Sequence, residues 1–212
     1  MSNGVETHGT GETLKLGFLG QRAYLQGTTL LNALTDRLAD AGRITFQCRK
    51  VIFSDLVLVK SGAGPLPEAA HWHAWLVWHK GGEAHWLGIE AAGPSPNPDR
   101  EPYDESRLTS LAAFAGDEVT LAVASPFPFV STLVSLNKFM LLSQPGEKRS
   151  GQWLFTGLKL TRFPAQVLPL RLKIRQHLAG IAARTTVFIG DENVGEIEFV
   201  WHAQNLHTAP SA

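Results

Sequence analysis

The sequence predicts an α+β protein made of two tandem units. Each unit is a central helix wrapped by an antiparallel sheet, and the two sheets join as a pseudo-dimer. Three observations carry this reading. An apolar pattern recurs at a fixed offset of 105 residues (116 − 11 = 105). A helical spacing follows a short alternating strand in both copies. After each helix the apolar period falls to two.

The first strand of each copy is Leu14, Leu16 and Phe18 against Val119, Leu121 and Val123. Turns follow at Gly20-Gln21-Arg22 and at Ser125-Pro126-Phe127-Pro128. The first helix is marked by Leu31, Leu34, Leu38 and Ala41, ending at Gly42, and the second by Leu133, Leu136 and Met140, ending at Pro145-Gly146. At the same offset Tyr24 meets Phe129, Leu25 meets Val130, and Asn32 meets Asn137.

Strands are then expected from Ile44, Phe46 and Cys48, and over residues 72–79 and 84–91, in the first copy. The second copy offers Leu158 and Leu160, then Leu170, Leu172 and Ile174, then residues 184–189 and 195–201. Lys80-Gly81-Gly82 and Gly190-Asp191-Glu192-Asn193 read as hairpin turns. The units are set at residues 11–92 and 116–204. Residues 93–115 form the link between them, an exposed proline-bearing stretch followed by a short helix over 106–115.

Composition narrows the function classes. Lysine plus arginine equal aspartate plus glutamate at 19 each, so no global charge argues for nucleic acid or an anionic membrane. Arg162, Arg171, Lys173, Arg175 and Arg184 form a local basic set, read first as solvated strand faces and second as a dock for an acidic carrier. Cys48 is the single cysteine, which excludes an intramolecular disulfide; it reads as a small core residue. No apolar run approaches the ~20 residues of a membrane span. A cytoplasmic protein is expected.

Gly17-Phe18-Leu19-Gly20, followed by Leu25-Gln26-Gly27-Thr28-Thr29-Leu30-Leu31-Asn32-Ala33-Leu34, resembles the β-hydroxyacyl carrier-protein dehydratases of the hot-dog superfamily. Those carry His-Phe-Pro-Gly, then Pro-Gly and a helix with an acidic residue before alanine. The resemblance implies a double hot-dog fold and an acyl or aryl thioester of coenzyme A or an acyl carrier protein as the partner. No cofactor is implied. Two departures bear on the chemistry. Gly17 stands at the family histidine and Asn32 at the family acid, while Asn137 occupies the same helical place in the second copy. Dehydration needs a base for the α-proton and an acid for the hydroxyl, and an amide supplies neither. Hydrolysis is therefore the favoured reaction. Double hot-dog thioesterases use sets of a carboxylate, a hydroxyl and a glutamine.

On this reading Asn32, Gln26 and Asn137 are the catalytic candidates, orienting water or a carbonyl. Gly27 polarises the carbonyl at the helix N-terminus, and Tyr24, Thr28, Ser131 and Trp72 bind substrate. Asp36 is the nearest carboxylate on the first helix. The strand His71-Trp72-His73-Ala74-Trp75-Leu76-Val77-Trp78-His79, with His85-Trp86 after it, places three histidines at one parity. His-x-His can hold zinc, yet no carboxylate or cysteine lies at a matching spacing, so no metal is expected. The alternatives are a dehydratase or isomerase whose base is His71, His73 or His85, and a non-catalytic acyl-chain binding protein or partner subunit. A monomeric pseudo-dimer, or a homodimer of such double units, completes the expectation.

Overall fold

The computed structural model describes residues 10–68, 71–95, 98–146, 150–164 and 167–203. The bound at residue 204 therefore lies outside the described residues. The first unit runs β1 (Thr10–Lys15), β2 (Phe18–Leu19), α1 (Gly27–Ala33), β3 (Ile44–Cys48), β4 (Leu56–Ala63), β5 (Ala74–Lys80) and β6 (Glu83–Gly93). A connector holds β7 (Arg100–Glu101), α2 (Ser106–Thr109) and β8 (Ala112–Ala115). The second unit runs β9 (Glu118–Leu121), α3 (Phe129–Leu142), β10 (Gln152–Leu160), β11 (Leu170–Leu178), β12 (Ala182–Ile189) and β13 (Glu192–His202).

One 11-stranded sheet takes in both units, in the order β1-β4-β6-β5-β3-β10-β13-β12-β11-β9-β8. The joint is the antiparallel pair β3–β10, with Gln47 opposite Gly157 and Ile44 opposite Leu160. Alternation fixes which side chains go inside: Ile44 and Phe46 on β3, Leu158 and Leu160 on β10, and Leu170 and Leu172 on β11 are buried. Helices α1 and α3 lie against each other and share one continuous core with that face, through Leu30, Leu31 and Leu34 and through Val130, Leu133, Leu136 and Met140. Each such leucine contributes roughly 1.5–3 kcal/mol by leaving water.

The expected first helix is shorter than its apolar spacing. It ends at Ala33 and a 3-10 turn, Thr35–Leu38, follows. The Thr35 hydroxyl donates to the Asn32 carbonyl at 2.8 Å and Leu34 N–H turns back to Leu31, so local bonds compete with helix continuation. The apolar spacing still reports burial, because Leu38 and Ala41 are buried without being α-helical.

The two units differ in connectivity. In the second, β11, β12 and β13 follow one another across the sheet. In the first, β6 lies between β4 and β5. The chain leaving β4 must therefore cross the sheet to begin β5. It crosses on the outer face, where Trp72 stacks on Trp86 at 5.4 Å with Leu66, Trp75 and Val77 around them. Gly88 makes this possible, since a Cβ there would sit 2.3 Å from the Trp72 ring. The β5–β6 hairpin turns through Gly81 and Gly82, both at positive φ (61° and 87°), as the sequence pattern requires.

The connector is bound to the first unit rather than free. Strand β7 pairs in parallel with β2. Lys15 pairs with Asp99 at 2.9 Å, and Arg100 donates to the carbonyls of Gly20 and Arg22. Only Ser106–Thr109 of the expected helix forms; residues 112–115 pair with β9 as an edge strand. At the head of the connector Ser95 donates both its N–H (2.7 Å) and its hydroxyl to the buried carboxylate of Asp55. Burial pushes the Asp55 carboxyl up, but the Ser95 bonds and the Lys15 charge outweigh it and hold the value below the ordinary one.

A carboxyl lowered on folding contributes stability that is full above its unfolded pKa of about 3.9 and fades as pH falls through the folded value. Asp55→Asn is expected to cost about 2 kcal/mol at pH 7. Thermal melts should show this as a loss of roughly 4–8 °C that shrinks toward pH 2. A constant difference across that range would overturn the assignment.

Candidate functional site

Register creates the site. Strand β10 pairs with β3 only over residues 157–160, while its earlier residues pair with β13 alone. Strand β3 has ended at Cys48, and residues 49–51 turn away. The backbone N–H groups of Arg49 and Lys50 both donate to the His73 carbonyl, which holds that turn in place. The gap beside residues 152–156 is a cavity of about 260 Å3.

Its walls come from both units. Arg22, Tyr24, Gln26, Gly27 and Thr28 lead into α1; Tyr103 and Glu105 come from the connector; Val134, Ser135 and Lys138 lie on α3; Gln152, Trp153, Phe155 and Phe199 belong to β10 and β13. Phe155 stacks on Phe46 at 5.6 Å and tilts against Phe199 at 5.9 Å. Gly27 lets this ring approach the chain, since a Cβ there would meet it at 3.0 Å.

One side of the cavity is charged. Glu105 accepts from the Lys138 ammonium and from the Ser135 hydroxyl (3.4 Å), and it pairs with Arg22 at 3.5 Å. The Tyr103 hydroxyl lies 2.5 Å from Ser135 Oγ. Gln26, with its amide oxygen toward Arg22, accepts from Arg22 Nε at 2.6 Å and donates to Thr28 Oγ1 at 3.2 Å. Burial lowers the Lys138 pKa, with the Glu105 charge opposing it. Burial raises both Tyr24 and Tyr103, so each phenol keeps its proton at neutral pH. Cys48, at the rim, is pushed up to about 11 by burial and stays a neutral thiol.

Of the residues singled out in the sequence, Gln26, Tyr24, Gly27 and Thr28 meet at this cavity. Asn32 and Asn137 do not line it. Asn32 Nδ2 donates to Ser131 Oγ at 2.7 Å across the α1–α3 contact, and Asn137 is fully buried in the core. The expectation that these amides face the reactive end is therefore revised: packing α1 on α3 takes Asn32 into the helix interface, and Asn137 is enclosed in the core with no hydrogen-bond partner among the described residues. Ser131 sits behind the cavity, its carbonyl accepting from Tyr103 at 3.4 Å. Trp72 packs on the outer face of the sheet and is not a cavity residue. Of the six tryptophans, Trp153 lines the cavity.

The histidine strand lies elsewhere. His71 approaches Glu90 at 3.3 Å, His73 Nδ1 accepts from Ala91 N–H at 3.4 Å, and His85 stacks on Trp78 at 5.4 Å. Among the described residues no group of three His, Cys, Asp or Glu side chains is placed to hold a metal. The basic set is largely neutralised across the outer face and edge by Glu118, Glu192, Glu196 and Glu198. No described helix is long and apolar enough to cross a membrane.

The sequence reading missed Arg22, Tyr103, Glu105, Ser135 and Lys138. Two of them sit in a stretch without periodicity. One signal was present: Lys138 is the single charged residue in the fourteen-residue helix FVSTLVSLNKFMLL.

No protein-family model matches the chain, and no curated protein matches it. Solved structures do. The dehydratase domain from the CurF module of curacin polyketide synthase is similar over 97% of this chain and 96% of that one, at 9% identity and TM-score 0.47. The 12:0-ACP thioesterase from Umbellularia californica is similar over 95% and 100%, at 9% identity and TM-score 0.46. The tesB protein of Mycobacterium avium subs paratuberculosis is similar over 89% and 96%, at 10% identity and TM-score 0.41.

Lys138→Met removes the cation nearest Glu105 and leaves a poorly solvated carboxylate with Arg22. A loss of about 1–3 kcal/mol is expected from denaturant titration, below the figure for a fully buried pair because the site is partly open. The double variant with Glu105→Gln should recover part of that loss. Strict additivity of the two would show that the pair is not coupled.

Proposed function

We propose that this chain is a double hot-dog hydrolase of acyl or aryl thioesters, with coenzyme A or an acyl carrier protein as the thiol half. The observation that carries the reading is Glu105, a carboxylate bonded to the Ser135 hydroxyl and sharing one cavity with Gln26. That is a carboxylate, a hydroxyl and a glutamine around one cavity. The acyl group would lie against Phe155 and Phe199. Its carbonyl oxygen would accept from the positive side, where Arg22, Lys138 and the protonated phenols of Tyr24 and Tyr103 supply donors. Glu105 would take a proton from the attacking water and return it to the departing sulfur, releasing a carboxylic acid and a thiol.

Dehydration finds less support, since among the described residues no histidine lines the cavity. Binding without turnover is favoured by one feature: the Glu105 oxygens are already engaged by Lys138, Arg22 and the Ser135 hydroxyl. Glu105→Gln distinguishes these. Hydrolysis of short acyl thioesters, followed by thiol release, should fall on the order of 100-fold or more while ligand binding persists. Wild-type protein that binds such thioesters and never releases thiol would establish the binding reading instead.

A further inference from the structure

The 11-stranded sheet has two edges, and they differ in charge. At one edge β1 carries Glu12 and Lys15, paired with Arg37 and Asp99. Charged side chains on an edge strand discourage another strand from pairing with it. At the other edge β8 reads Ala-Ala-Phe-Ala, and no charged residue occurs between Arg107 and Asp117. Strand β9 bonds to one side of β8, and among the described residues no strand meets its other side. Along an antiparallel strand, residues alternate between bonding across to the neighbour and turning their N–H and C=O the other way. Half of the β8 backbone groups therefore face outward, where water or another extended chain must satisfy them.

The side chains at this edge are apolar as well. Among the described residues seven large hydrophobic side chains are exposed, and three of them gather here: Leu111, Phe114 and Val123. Phe114 stands opposite buried Val119, on the face that carries the core, yet it is 39% exposed. Leu111 precedes β8 and Val123 follows β9, both at the end of the hairpin away from its Gly116-Asp117 turn.

A second β8, run antiparallel about a two-fold axis normal to the sheet, fits each of these features. It supplies the outward backbone groups with partners. It sets no like charges against each other along the strand and brings Phe114 beside its counterpart on the same face. It also lays the Arg107 end of each copy against the Asp117 end of the other, and both residues are exposed. Such an isologous contact closes on itself and gives a dimer rather than a fibre.

We propose that β8 is the strand through which two copies of this chain pair, edge to edge and antiparallel, so that their sheets become one. The connector that brings Tyr103 and Glu105 to the cavity ends in this strand, so the copies join through the segment that completes the site. The proposal does not depend on the thioester reading. Two four-residue strands bury less than the ~1,200 Å2 of a standard interface, so dissociation at roughly 10–100 µM is expected.

Sedimentation velocity of the full chain, from about 1 µM to 1 mM, tests it and should show a monomer passing to a dimer. Hydrogen exchange should slow across residues 112–115 over the same range. Phe114→Lys repeats a positive charge across the axis and should weaken association about tenfold or more. Phe114 belongs to neither hydrophobic cluster, so the fold should survive the change. Arg107→Glu, on exposed α2 surface, should weaken association about two- to fivefold, and adding Asp117→Lys should restore it. That pair serves if Phe114→Lys does not fold. A chain that stays monomeric throughout leaves the edge to a strand of another protein and overturns the proposal. A dimer that Phe114→Lys and Arg107→Glu both leave unchanged, or assembly that grows past the dimer, overturns it as well.

Discussion

The pairing of β3 with β10 is the constraint on which the rest depends. It makes one sheet of two and so forces α1 and α3 onto the same face, in contact. Its register decides where the cavity opens, because β3 stops at Cys48 while β10 has begun five residues before Gly157. Gly157 itself tolerates the joint: a Cβ there would stand 2.5 Å from Gln47 Nε2, on the side where Gln47 donates to Glu198. The ladder also shifts between Phe155 and Gly157, which bends β10 at the cavity wall. A slip of one residue would turn Phe155 and Leu158 outward and lose both core and cavity.

The two halves of the sheet differ in connectivity around that joint. The second keeps its last strands in simple sequence; the first threads its chain over the outer face to place β6 between β4 and β5. That crossing has a consequence at the site, because it ends at His73, whose carbonyl holds the rim turn through Arg49 and Lys50. The Trp72–Trp86 stack, on the outer face of the sheet, thus supports the edge of the cavity. The connector does the corresponding work on the other side. Anchored by Asp55 and β2, it delivers Tyr103 and Glu105 to α3.

Much of the fold was legible because burial imposes a period. Leu31, Leu34 and Leu38, and Leu133, Leu136 and Met140, are buried as their spacing implied. What failed to show was whatever period does not encode. Strand β4 reads Leu-Val-Leu-Val, apolar on both parities, so no period of two marks it. The break before Thr35 goes with two local bonds, Thr35 Oγ1–H to Asn32 and Leu34 N–H to Leu31, and the β6 insertion with a glycine beside a tryptophan. Half of the candidate site was legible for the same reason: residues 24–28 precede a recognisable helix. The other half arrives through tertiary contact. Nothing in Tyr103 or Glu105 marks them locally, since they sit in a proline-bearing connector whose course is set by pairs with Lys15, Gly20 and Arg22.

The amides show how a shared position can acquire a different role. Asn32 and Asn137 occupy matching sequence places, and an acid at either would be a plausible catalyst if the helix faced the cavity. At Asn32 the α1 surface instead meets α3, and Asn137 is buried in the core. There a carboxylate would carry charge into the core, where desolvation costs several kcal/mol without a cation beside it. An amide costs less and can donate, as Asn32 does to Ser131. From Ser131 the polar contacts continue through Tyr103 and Ser135 to Glu105 and Lys138. The amide at the helix interface and the carboxylate at the cavity are therefore joined by a run of polar contacts, not by one continuous hydrogen-bonded chain, because Asn32 meets the Ser131 hydroxyl and Tyr103 its carbonyl.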